Sequence, residues 1–358
     1  MNYAINKQEG PAYLQLYRKL RDDIVAGAFP CHSRLPSKRL LAEESGVSTV
    51  TVEHAYALLC DEGYAQARER SGYFVVFRPD DGFAAADERA QEPAHSEVGG
   101  YPGFPVSVLS KTMRRVLSDS RDVLLEKAPG KGCGELREAI RRYLARNRGM
   151  RVEPEQIVVG SGAEYLYGLI VGLLGRERLY AVEDPSYEKI EKIYRAAGAR
   201  CERLPLTRDG IDSDALWASG ADVLHVTPFR SYPSGVTASA SKRHEYIRWS
   251  AQAGRFLIES DYGSEFSLAA RPLETLFVLS DQDNVIYLNT FSKTISASMR
   301  VGYMVLPRQL VEPFQEKLGF YSSSVPTFEQ LVLARLMDGG DLERHINRVR
   351  RRLREENE

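Results

Sequence analysis

The sequence predicts an α/β protein in two folded parts: a winged helix-turn-helix at the N-terminus and a larger part with a mostly parallel central sheet. Three observations lead there. Two short helical patterns meet at Gly46, a polar stretch of small residues follows residue 78, and beyond it short apolar runs alternate with helical patterns. The 358 residues fit about two or three domains. A formal net charge of −1 gives no global attraction to nucleic acid or membrane, so such binding has to come from a local patch. Cys31, Cys60, Cys133 and Cys201 form no Cys-x-x-Cys pair, so neither a metal site nor a disulfide framework is expected, and free thiols in a reducing compartment are. The N-terminus carries no signal-type apolar run and no apolar stretch reaches the ~18 residues of a membrane span, which predicts a cytoplasmic chain without membrane contact.

Leu16, Leu20, Ile24 and Val25 recur at helical spacing between Ala12 and Ala28, and Gly27 and Pro30 end that helix. Ser37 caps a short helix over Lys38 to Glu44, Gly46 makes a tight turn, and Ser48 caps a second helix from Thr49 to Glu62. Two short helices through a glycine turn are a helix-turn-helix. Residues Ala65 to Arg68 and Tyr73 to Phe77 alternate like a hairpin, with Glu69-Arg70-Ser71-Gly72 as its tip. The expected work is binding double-stranded DNA. Ser48, Thr49 and Thr51 approach base edges and phosphates, Ser37 and Arg39 the backbone, and Arg70 with Gly72 a minor groove. Residues 1–78 hold ten basic and nine acidic residues, so a generic small helical module fits the charge equally well.

Residues 79–97 are polar and small and read as a flexible acidic linker. In residues 98–358 a helix over Val108 to Leu117 and an amphipathic helix over Glu135 to Arg146 come first. Strands then alternate with helices: Gln156 to Val159, a helix from Ala163, Leu179 to Val182, a helix from Tyr187, Val223 to Val226, a helix from Ser241, Phe256 to Glu259, and Val285 to Leu288. In such a sheet ligands gather at the carboxyl ends of the strands.

Those ends carry the chemistry. After Val285 to Leu288 come Thr290, Ser292, Lys293 and Arg300. A poorly solvated lysine loses its proton readily and attacks aldehydes, while hydroxyls and an arginine bind an anion. Together they suit pyridoxal 5'-phosphate (PLP). Gly160-Ser161-Gly162-Ala163 joins a strand to a helix and is either a phosphate cradle or simply a tight turn. Tyr187 stacks on a pyridine or packs in the core. Glu259-Ser260-Asp261-Tyr262 offers carboxylates for the ring nitrogen and a phenol for the ring oxygen.

Leu35-Pro-Ser-x-Arg-x-Leu-Ala42, Gly46-Val-Ser48, Thr51-Val52, Ala55-Tyr56, Glu62-Gly63 and Ser71-Gly-Tyr-Phe-Val75 resemble the DNA-binding domain of GntR-family transcription regulators. The ordered set from Gly160 to Arg300 resembles fold-type I, aspartate aminotransferase-like PLP enzymes. Their fusion resembles the MocR subfamily of GntR regulators. The resemblance implies that Lys293 forms the internal aldimine, that Tyr187 stacks on the ring, and that Tyr262 meets the ring oxygen. It places Gly162, Ala163, Thr290 and Arg300 around the phosphate. Ser161 and Ser292, next to them in the chain, are expected to bind the cofactor as well, and Asp261 is the acid left for the ring nitrogen. It further implies a head-to-tail homodimer in which each DNA-binding domain reaches over the partner's larger domain.

The chain departs from that family in four places. Ser260 stands where the first of two acids usually meets the pyridine nitrogen, Asp261 being the second; if Asp261 does not turn inward, the nitrogen meets a hydroxyl and catalysis suffers more than binding. Arg230-Ser231 replaces a His-Gln pair, with Tyr232 in place of Phe. Lys189 stands where some members carry an effector-binding arginine, and a lysine, lacking the bidentate fork, holds a carboxylate more loosely or lies on an exposed helix face. The chain also stops at residue 358 in an Arg-rich helix expected to be solvated, so the C-terminal subdomain is expected to be truncated by roughly 90–120 residues. The expected function is a PLP-binding transcription regulator that senses an amino compound or a vitamin B6 form. Its rival is an aminotransferase with an attached DNA-binding module, and sustained keto-acid production would mark the latter.

Overall fold

The computed structural model describes residues 3, 5, 10–68, 71–77, 103–252, 254–267 and 274–356. The linker 79–97 and Arg70 lie outside them. The chain divides into two compact units, residues 1–95 and 96–358.

In the first unit, α1 (Ala12–Val25) turns Leu16, Leu20 and Ile24 inward, as their spacing dictates. It ends three residues before Ala28, because Gly27 at φ 81° leaves the helical region. Ser37 caps α2 (Lys38–Ser45) by accepting from Leu40 N at 3.2 Å, and Gly46 at φ 65° stops it. Ser48 caps α3 (Thr49–Asp61) through Thr51 N at 3.2 Å. The wing is an antiparallel hairpin of β1 (Ala65–Arg68) and β2 (Gly72–Val75), paired from Ala65↔Val75 to Arg68↔Gly72. Leu16, Leu20, Leu41, Val52, Tyr56, Leu59 and Val75 form one core. Burial of each large apolar side chain contributes about 1.5–3 kcal/mol.

The second unit begins with α4 (Val106–Asp119), the short α5 (Arg121–Leu124) and α6 (Gly134–Arg148). Next come β3 (Ile157–Gly160), α7 (Ala163–Leu174), β4 (Leu179–Asp184), α8 (Glu188–Ala196), β5 (Arg200–Thr207), β6 (Gly210–Ile211) and α9 (Ser213–Ala218). The chain continues through β7 (Val223–Val226), α10 (Ala240–Ser250), β8 (Phe256–Ser260), α11 (Leu276–Leu279), β9 (Val285–Thr290) and β10 (Gly302–Val305). It closes with α12 (Val311–Leu318), α13 (Thr327–Asp338) and α14 (Asp341–Glu355). The eight strands lie in the order β3-β10-β9-β8-β7-β4-β5-β6. From β9 through β5 neighbours run parallel, whereas β10 and β6 are antiparallel to the strands they touch.

Three strands went unforeseen. β5 and β6 sit at one edge of the sheet, where polar Arg200, Glu202 and Arg203 and the proline Pro205 hide the strand pattern. β10 is a four-residue apolar run buried on both faces, too short for periodicity to mark. Its insertion brings Gly302 into register with both Gly160 and Thr290, so three strands meet at the edge where the carboxyl ends lie. The face covered by α7 and α8 packs Leu166, Ile170, Val182, Tyr194, Ile258 and Ile286, and the opposite face packs α6, α13 and α14 against Tyr287 and Tyr303. On α14 Leu342, Ile346 and Val349 are buried while Arg351, Arg352 and Arg354 are exposed.

Candidate functional sites

The first unit presents the exposed start of α3. Thr49 is exposed, Val50 is 57% exposed, and Thr51 is partly covered. The hydroxyls of Ser37 and Ser48 are engaged in capping, and Ser48 Oγ also lies 2.9 Å from Thr51 Oγ1. They hold the helix ends whose amides face outward. Arg39 is exposed on α2. Lys38 is spent on Glu53 of α3, at 2.9 Å; this bond draws the Glu53 carboxyl below its usual range. At the wing a Cβ on Gly72 would stand 3.1 Å from Arg34 Nε, so an exposed arginine from the loop before α2 lies along the hairpin. Nothing local marked Arg34 as part of that surface; it arrives through the pairing of Leu35 N with Tyr73 O at 2.9 Å.

In the second unit the strand ends gather most of the residues expected there. Lys293 Nζ lies 4.8 Å from the centroid of the Tyr262 ring. A Cβ on Gly263 would come within 2.6 Å of that Nζ, so the bare glycine makes room for the amine. Burial pushes the Lys293 amine below the ordinary lysine range, Arg230 pushes the same way, and Glu265 opposes. Arg230 holds a left-handed backbone at φ 47°, a conformation non-glycine residues adopt at a cost of order 1 kcal/mol.

Arg300 reaches the start of α7. A Cβ on Gly162 would be 3.3 Å from Arg300 Nη2, and one on Gly302 would be 3.1 Å from Asn289 O and 3.4 Å from the Gly162 carbonyl carbon. Ala163 opens the helix, whose N-cap Gly162 lends no side chain, so its first amides are open to an anion. Ser161 N donates to Ser324 Oγ at 3.0 Å. Thr290 Oγ1 is buried and has no hydrogen-bond partner among the described residues. An orphaned hydroxyl, an arginine, and glycines whose missing side chains let backbone and arginine close in are what a phosphate needs, so these residues fit the phosphate of PLP. Ser292 stands one residue before Lys293, partly covered.

Tyr187 is the N-cap of α8, 38% exposed, with its ring 6.3 Å from that of Tyr232. Lys189 Nζ is 5.8 Å from the Tyr187 ring and 2.6 Å from Glu164 Oε1. Glu164 Oε2 in turn is 3.2 Å from Arg300 Nη2. This carboxylate, which sequence reading passed over, links the expected phosphate arginine to the expected effector lysine; only its place in the first turn of α7 hinted at it.

Asp261 does not join this group. Its Oδ2 accepts from Tyr287 OH at 2.6 Å and lies 3.1 Å from Arg148 Nη2. Glu265 and Asn289 complete that cluster, with Asn289 Nδ2 donating to Glu265 Oε1 at 2.6 Å. The physical reason is charge: with Arg148 buried beneath the strand end, the nearest carboxylates are drawn to it. Ser260 is instead bonded to His225 at 2.7 Å.

Comparison with known proteins accounts for both units. Residues 12–75 match the family of bacterial regulatory proteins of the gntR type, and residues 97–358 match aminotransferase class I and II. The probable rhizopine catabolism regulatory protein MocR of Rhizobium meliloti is 30% identical over 367 residues, covering 95% of this chain and 74% of that protein. The chain belongs to the MocR subfamily of GntR regulators. Another relative of this MocR-type chain, the HTH-type transcriptional regulator YdeL of Bacillus subtilis, is 31% identical over 95% of the chain and 76% of its own length. Among solved structures, the α-aminoadipate aminotransferase of Thermus thermophilus, complexed with N-(5'-phosphopyridoxyl)-L-leucine, superposes with a TM-score of 0.62 at 26% identity. That match covers 71% of this chain and 66% of the enzyme, so the chain spans just under two thirds of the aminotransferase's length. The N-terminal unit is the DNA-binding part of a MocR-type regulator. Among the described residues no helix is long and apolar enough to cross a membrane, and all four cysteines are free.

Proposed function

We propose that the aminotransferase-like unit of this regulator binds pyridoxal 5'-phosphate at Lys293, and that an amino compound or a vitamin B6 form acting there alters DNA binding by the N-terminal unit. The observation that carries the reading is the convergence on one strand edge of Lys293, set against Gly263 and Tyr262, with Arg300, Gly162 and the unpartnered Thr290 hydroxyl. When bound, PLP supplies an aldehyde that condenses reversibly with amines. The chain's own residues supply the rest. Arg300, Thr290, Ser292 and the amides of Gly162 and Ala163 take the phosphate, with Ser161 behind them. Tyr187 covers the ring and Tyr262 donates to its oxygen. The lowered basicity of Lys293 leaves more of its amine unprotonated and able to attack.

Lys189, above Tyr187, is the residue we assign to an effector carboxylate. On the DNA side, Thr49 and Thr51 reach base edges and phosphates, Ser37 and Ser48 aim the amides of their helices, and Arg39, Arg70 and Gly72 contact the backbone and minor groove. The working unit is a head-to-tail homodimer. Regulation then requires only that the effector bind one arrangement of the dimer more tightly than the other.

The test is a titration of the full chain with PLP, followed by absorbance, in the wild type and in Lys293→Ala. A visible band in the wild type that is lost in the variant supports the reading. A band that survives Lys293→Ala, or none in the wild type, sinks it. Sustained transamination by the wild type, unaffected by DNA, would favour the aminotransferase reading.

A further inference from the structure

Ser260 occupies the last position of β8, and the side chains bonded to it are neutral. Its Oγ lies 2.7 Å from His225 Nε2 and 3.4 Å from the Tyr167 hydroxyl, and His225 Nδ1 lies 2.7 Å from Tyr194 OH. All four residues are buried. His225 pairs with Ile258 across β7 and β8, so Ser260, two residues on, shares the sheet face with His225 and Ile258. That is the face covered by α7 and α8, the helices that Gly162 and Tyr187 begin.

The protonation states fix the direction of the Tyr194–His225 and His225–Ser260 bonds. Burial raises the Tyr194 phenol far above its usual range, so it keeps its proton. Burial pushes His225 down to about 3, so the imidazole is neutral, with one N–H and one bare nitrogen. The Tyr194 proton goes to Nδ1, the one acceptor recorded for it among the described residues. The imidazole proton therefore sits on Nε2 and is donated to Ser260 Oγ. With that oxygen accepting from His225, the hydroxyl proton of Ser260 is left to point away from the imidazole.

We propose that the Tyr194–His225–Ser260 chain presents a hydroxyl proton to the ring nitrogen of a bound pyridine and so keeps that nitrogen unprotonated. The inference rests on the reading that PLP binds here. A ring with its aldehyde carbon at Lys293 and its phosphate at the start of α7 directs its nitrogen, para to that carbon, toward the strand ends where Ser260 lies. A carboxylate there would hold a proton on the nitrogen by charge. A hydroxyl that accepts from His225 on one lone pair, and from the protonated Tyr167 phenol on the other, donates instead, and an aromatic nitrogen that accepts has no proton of its own. His225 is thus a positioning residue, fixing which way Ser260 faces. An unprotonated ring is a poor electron sink, so the pocket holds an amine without readily breaking its bonds, as a sensor requires.

The experiment uses full-length protein loaded with PLP labelled with nitrogen-15 in the ring, read by nitrogen NMR. The wild-type resonance is expected in the unprotonated, hydrogen-bonded range. Ser260→Ala is expected to move it toward the free base, Tyr194→Phe to move it the same way by less, and Ser260→Asp to move it into the protonated range. A protonated nitrogen in the wild type overturns the proposal, and so does a resonance that Tyr194→Phe leaves unmoved. These outcomes are distinct from loss of the lysine-bound absorbance in the wild type, which would remove the pocket reading itself and this inference with it.

Discussion

Arg148 and Asp261 face each other at 3.1 Å, with side chains only 3% and 6% exposed. Glu265, 4% exposed, stands 3.7 Å from the same guanidinium. Two carboxylates thus share one cation beneath the ends of β8 and β9, and Tyr287 and Asn289 donate to them. The arrangement anchors the loop that carries Tyr262 and Gly263.

Removing the cation should therefore cost more than removing either acid. Arg148→Met leaves two buried carboxylates uncompensated and is expected to destabilise the second unit by about 3–5 kcal/mol. Asp261→Asn, which keeps an acceptor for Tyr287 and leaves Glu265 to Arg148, should cost markedly less. Urea unfolding followed by near-UV circular dichroism checks the order; equal losses for the two variants would count against it.

Stability should depend on pH through Glu183. Burial raises its carboxyl to about 7, against a bond from Ser231 Oγ at 2.6 Å and one from Thr227 N. A raised carboxyl stabilises the fold when protonated, so its contribution is complete below pH 4.5 and is lost as pH rises through about 7. Glu259, raised to about 8, acts in the same sense. His225, lowered to about 3, acts in the opposite sense, its contribution being present above 6.5 and lost as pH falls toward 3. Subtracting the melting profile of Glu183→Gln from that of the wild type isolates the first effect: the difference should favour the wild type less at pH 8 than at pH 5.

Glu164 holds Arg300 and Lys189 through exposed pairs. If the phosphate site is as proposed, Glu164→Gln releases the arginine to the phosphate. Exposed pairs are worth up to about 1 kcal/mol, so PLP affinity should rise by no more than about fivefold. Equilibrium titration of absorbance measures it, and a weakened affinity would show that Glu164 helps to hold the phosphate arginine in place.

On the face proposed to meet DNA, Glu53 consumes Lys38 and adds negative charge beside the exposed start of α3. Glu53→Gln should free one cation for the phosphate backbone and steepen the slope of log affinity against log salt by about 0.9. Fluorescence anisotropy on one duplex over a series of salt concentrations reads that slope directly.

Much of this was legible because local rules decide it. Ser37 and Ser48 cap their helices, Gly46 turns, and Leu16, Leu20 and Ile24 face inward as their spacing requires. Lys293 and Arg300 were singled out because a strand followed by small hydroxyl residues puts polar groups at a sheet edge, and Tyr262 because it closes a polar run at the end of another strand. The partners that define each of them were not legible. Gly302 comes beside Gly160 only because β10 inserts between β3 and β9. Ser161 gives its amide to Ser324, 163 residues away, and Arg34 reaches the wing through strand pairing that no spacing announces.

By itself the sequence determined the two-part α/β plan and the family, and it singled out the lysine, tyrosines and arginine proposed for the pocket, since capping, periodicity and short motifs act between residues near in the chain. Tertiary structure alone decided which partners the polar groups at the end of β8 take. Asp261 turned to Arg148 and Ser260 to His225 because a buried charge takes the counter-charge the fold brings nearest, and a buried hydroxyl the neutral partner its sheet face supplies.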